Sequence, residues 1–75
     1  MSQKIPTFTY HDVTKRLRKL GFTFFRQGKG SYEIWHHPDG RWTTVPRHGN
    51  KIISRRTMKS ILDTVGMDGS SFRSL

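Results

Sequence analysis

The sequence predicts an α+β domain of two layers, α-β-β-β-α in order, with a three-stranded antiparallel sheet carrying two helices on one face. Three observations support this. Two stretches with apolar residues at helical spacing lie near the two ends, and the middle between them is aromatic and β-branched. Gly and Pro cut that middle into runs of strand length. At 75 residues there is room for one core, since a domain of this size buries only about 60% of its unfolded surface, so both helices must cover the same sheet face.

The first helix starts at Thr9, a capping residue with Asp12 in the capping-box position, and Tyr10, Val13, Leu17 and Leu20 form its stripe. Gly21 suits the left-handed stop, and the basic face of Lys15, Arg16, Arg18 and Lys19 is expected to be wet. Strands are predicted over 22–27, 31–36 and 41–45, joined by Gly28-Lys29-Gly30 and by His37-Pro38-Asp39-Gly40. Strict alternation groups Phe22 and Phe24 with Arg26, and the two phenylalanines are expected inward. Pro46 is expected to end the third strand, and Arg47-His48-Gly49-Asn50 reads as a basic loop. A helix over 54–65 follows, with Met58, Ile61, Leu62 and Val65 as its stripe and Gly66 as its stop. The whole of 1–75 reads as a single domain, with 1–6 and 68–75 loosely ordered apart from an extra turn in which Phe72 and Leu75 pack.

Charge narrows the function. There are 14 Lys and Arg against 5 Asp and Glu, a net charge of +9, and residues 41–59 hold six of those bases and no acid. Polyanions are the expected partners of a segment that local pairing cannot neutralise. The absence of cysteine argues against a secreted disulfide scaffold and for the cytoplasm, and no apolar run approaches the roughly 20 residues of a membrane span. A metal site is disfavoured, because His36 and His37 are adjacent on a strand and point apart, and with His48 they lack a completing cysteine or carboxylate pair. No cofactor is expected.

The element order is similar to the double-stranded RNA-binding fold, which reads duplex RNA by shape and phosphates. Leu17-Arg18-Lys19-Leu20-Gly21-Phe22, Gly30-Ser31, Pro38-Asp39-Gly40, Val45-Pro46-Arg47-His48 and Ser60-Ile61-Leu62 stand in the order and spacing of HicA toxins, a resemblance spanning about residues 11–67. It implies a toxin of a type II toxin-antitoxin system, a metal-independent endoribonuclease that cleaves messenger RNA and is neutralised by a HicB-like antitoxin. In that family a histidine follows the Gly-Ser pair and carries the chemistry. Here the position is Tyr32. The family also has glycine before the Thr-Leu that opens the last helix, where this chain has Arg56 before Thr57-Met58.

Cleavage without a metal needs one group to take a proton from the ribose 2′-hydroxyl and another to return one to the leaving oxygen. Imidazole, with a reference pKa near 6.5, does either at neutral pH, whereas a phenol near 10 donates but is a poor base. The substitution therefore predicts an attenuated or inactive ribonuclease that keeps its RNA surface. Without the family, Tyr32 reads as an ordinary strand residue. His48 reads equally as a group near the scissile phosphate or as a helix cap; it is the first candidate to rescue chemistry, and His37 is the second.

Lys29, Gly30 and Ser31 form a turn whose backbone can approach a phosphate, and Arg41, Arg47, Lys51, Arg55 and Lys59 are the phosphate-contact candidates. Trp35 and Trp42 lie on facing strands, where they stabilise the sheet as a cross-strand pair, stack unpaired bases or, in the favoured version, anchor the antitoxin. The alternatives to the toxin are a non-catalytic RNA-binding module of the same fold and a protein-interaction domain that is merely basic.

Overall fold

A computed structural model describes residues 5–75; of the loose ordering expected for 1–6, the part at 1–4 lies outside them. Helix α1 (Tyr10–Lys19) begins with the expected capping box: the Asp12 backbone N–H donates to Thr9 Oγ1 at 3.3 Å, and the Thr9 N–H to Asp12 Oδ2 at 3.0 Å. It stops in a Schellman arrangement, with the Phe22 N–H bonded to the Leu17 carbonyl at 2.9 Å and the Gly21 N–H to that of Arg18 at 3.1 Å. Gly21 has a φ of 94°, which a side chain would strain. The stop turns Phe22 into the core and starts the sheet.

Strands β1 (Thr23–Gln27), β2 (Tyr32–His36) and β3 (Trp42–Pro46) form one antiparallel sheet in the order β1-β2-β3. Pro46 lies within β3 rather than after it. It is tolerated because β3 is an edge strand and Pro46 faces Tyr32 at a pair that needs no N–H from it; the next pair, Ser31 and Arg47, carries the ladder bond at 2.9 Å.

Helix α2 (Arg55–Val65) is capped by Ser54, whose Oγ accepts from the Thr57 N–H at 3.3 Å, and it ends at Gly66. Arg56 in place of glycine leaves this start intact. Glu33, Trp35, Thr43 and Val45 point inward, and the two large side chains among them join Val13, Leu17, Met58, Ile61, Leu62 and Val65 in one core. The two-layer α+β arrangement is the expected one.

Three expectations change. The extra turn expected around Phe72 is a third helix, α3 (Gly69–Arg73), in a tail otherwise expected to be loose; Phe72 is fully buried and meets Phe8 edge to face at 5.4 Å. Arg16 clamps this helix and is half-buried rather than free in solvent: its Nε and Nη2 donate to the carbonyls of Phe72 and Arg73, both at 3.0 Å. The alternation of β1 breaks at Phe25. Phe24 pairs with Trp35 but Arg26 with Ile34, so Phe25 is an extra residue, and Arg26 lands on the opposite face from the one strict alternation assigns. Phe24 does face the helix side, meeting Trp35 edge-on at 6.2 Å, yet it is 50% exposed because the helices pack chiefly against β3.

Candidate nucleic-acid interface

Tyr32 opens β2 after a turn that several bonds hold. The Gly28 N–H donates to the Tyr32 carbonyl at 2.7 Å, the Tyr32 N–H to Lys29 at 3.2 Å, and Gln27 Nε2 to the Gly30 carbonyl at 3.0 Å. Alternation from the buried Glu33 and Trp35 turns Tyr32, 41% exposed, onto the face without helices. The Ser31–Arg47 bond then brings Lys29, Gly30, Ser31, Tyr32 and Arg47 to one corner of the sheet. His48 and Lys51 follow in an exposed turn closed by the Lys51 N–H on the His48 carbonyl at 3.2 Å. Backbone pairing thus brings sequence-distant cationic residues to the corner that holds position 32, with Arg47, one step beyond Pro46, on the helix side of the ladder, where its charge reaches Tyr10.

Other predicted residues lie elsewhere. Arg55 and Lys59 ride on α2, in the helical layer behind the sheet. Arg41 lies at the far end of β3, and its guanidinium is occupied: Nε pairs with Asp39 at 2.8 Å, Nη1 donates to the carbonyls of Thr64 and Val65 at 3.3 and 3.2 Å, and Cζ sits 5.3 Å from the Phe22 ring centre. It closes the C-terminus of α2 rather than joining the corner. His37 is at that same end. Its Nε2 lies 3.1 Å from the Leu20 carbonyl, to which it can only donate, and its Nδ1 lies 3.1 Å from the Asp39 backbone nitrogen and 3.0 Å from Asp39 Oδ1.

The open face carries Arg26 and no carboxylate, because the single acidic strand residue, Glu33, points inward. Its Oε1 accepts from Tyr10 Oη at 2.7 Å and from Trp35 Nε1 at 3.1 Å. Burial first, then donation to Glu33, pushes the Tyr10 phenol above its ordinary value. Sequence reasoning missed this carboxylate, although its spacing of two from Trp35 was the available signal. Reading Trp35 inward makes Glu33 inward too.

Trp35 and Trp42 are not a cross-strand pair: Trp35 faces Thr43 and is buried, while Trp42 faces His36 and is 58% exposed. Among the described residues no group of three or more His, Cys, Asp or Glu is placed to hold a metal ion. No helix among them is long and apolar enough to cross a membrane.

The family described as the HicA toxin of bacterial toxin-antitoxin matches residues 10–67, more than half of the chain. The chain belongs to the HicA toxin family. No curated protein matches it. The matched span starts with α1 and ends just after α2, so it contains the whole sheet and the corner around Tyr32, while α3 lies beyond it. In this HicA-family chain, the Gly-Ser-Tyr segment and the basic loop are separate in sequence and adjacent in the fold.

Proposed function

We propose that this protein is the toxin of a toxin-antitoxin pair, that it binds messenger RNA, and that its metal-independent endoribonuclease chemistry is attenuated by the phenol at position 32. The observation that supports this best is the Ser31–Arg47 ladder bond. It joins the start of β2, where Tyr32 is exposed, to the basic loop, so that on this reading a ribose-phosphate chain crossing the corner meets a group able to donate a proton and, around the sheet edge, guanidinium and ammonium groups able to hold phosphate. Lys29, Arg47 and Lys51 hold the backbone, and the turn at Gly30 and Ser31 lets it come close. Tyr32 donates but is a poor base, and His48 is the imidazole that the adjoining loop carries. Arg55 and Lys59 are assigned to phosphates reached around the edge of the helical layer. The partner that neutralises the toxin is a HicB-like antitoxin, and the setting is the cytoplasm.

The test is Tyr32→His, expressed without a partner. Growth arrest and messenger RNA loss are expected, with a rate about 10²- to 10⁴-fold above the unaltered protein. Equal rates for the two proteins would overturn the role given to position 32. A non-catalytic RNA-binding module, the alternative, predicts that neither protein cleaves.

A further inference from the structure

The bulge at Phe25 has a consequence on the open face. Phe25 stacks on His36 with ring centres 4.0 Å apart and planes within 13°. His36 in turn faces Trp42 across the β2–β3 ladder. Three rings therefore run across all three strands, and the outer two are more than half exposed, Phe25 at 55% and Trp42 at 58%. Tyr32 lies on the same face four residues along β2, about 13 Å away at the usual rise of a strand. Arg26, between the two, has Cζ 6.0 Å from the Phe25 ring centre.

The geometry points to a base-stacking platform: the row Phe25, His36 and Trp42 takes unpaired bases of a single-stranded RNA whose backbone runs toward Tyr32. This rests on reading Tyr32 as the position where the ribose reacts. A strand held there must lie along the face that Tyr32 shares, and that face offers it rings, a cation and no carboxylate. Stacking on such rings is tolerant of sequence and suits single strands, because a duplex keeps its base faces covered. A protein anchor would use the same rings, but the shared face and the cationic corner favour RNA.

The test uses the full chain with a 2′-O-methyl oligouridylate of about 12 nucleotides, within the range of known single-strand sites, and an RNA duplex. Trp42→Ala and Phe25→Ala are each expected to weaken oligouridylate binding about 5- to 150-fold and to leave duplex binding within twofold. Trp42→Phe, which keeps a ring, is expected to restore most of the loss. In the unaltered protein the oligouridylate should quench the exposed indole of Trp42, and this holds even if a variant fails to fold. Unchanged single-strand affinity in both alanine variants, or no quenching on binding, overturns the platform while RNA binding stands. Alanine variants that bind RNA normally and lose only a protein partner overturn it as well. If the unaltered protein binds neither RNA at low salt, the RNA reading and the platform fall together.

Discussion

A buried carboxylate with two neutral donors is the residue-scale feature on which the position of β2 depends. Among the described residues no cation is bonded to Glu33; the Tyr10 hydroxyl and the Trp35 indole hold it, so removing one donor leaves an acceptor under-satisfied in a dry place. Tyr10→Phe is expected to lower stability by about 1 to 3 kcal/mol, read from denaturant melts. The sign of its pH dependence follows from the raised phenol. A group held protonated in the fold contributes fully below its unfolded value of 10.0 and loses that contribution as the pH rises through the folded one. The gap between the wild type and Tyr10→Phe should therefore narrow above about pH 10, and a gap that widened there would contradict the assignment.

At the scale of elements, an arginine expected on phosphate and another expected in solvent both act as clips. Arg41 ties the turn after β2 to the last carbonyls of α2, and Arg16 ties α3 to α1. Arg41→Ala is expected to lose about 1 to 3 kcal/mol in thermal melts and to change RNA affinity little. Arg47→Ala should do the reverse: near-native melting, weaker RNA binding at every sequence, and a slope of log affinity on log salt reduced by about 1. Phe72→Ala is expected to cost about 3 to 5 kcal/mol, because its ring fills the core against Phe8. A loss near zero would mean that α3 does not stay docked in solution.

For the molecule as a whole, the net charge of +9 shapes both its partners and its stability. Three carboxyls are held below their ordinary value of 3.8: Asp12 chiefly by the Thr9 N–H, Asp39 by that of Arg41 and Asp68 by that of Ser71. Their contribution is complete above that value and disappears as the pH falls through the depressed ones. Protonation also removes three of the five negative charges that offset the cations. Thermal stability should therefore decline as the pH falls below about 4, and added salt should soften the decline by screening.

Local pattern by itself determined the order of the elements, the cap at Thr9 and the stops at Gly21 and Gly66, the cationic stretch and the family, because each is written within the chain's own residue order. Facing is a different kind of information. Which side Tyr32, Trp35, Trp42 and Arg26 present depends on pairing partners far along the chain and on one extra residue at Phe25, and a one-residue change of register moves every side chain to the other face. The burial of Glu33 and the capture of Arg41 by the end of α2 were likewise tertiary outcomes: a buried acceptor needs donors and a helix end needs caps, but only the packed layers decide which residues are near enough to supply them.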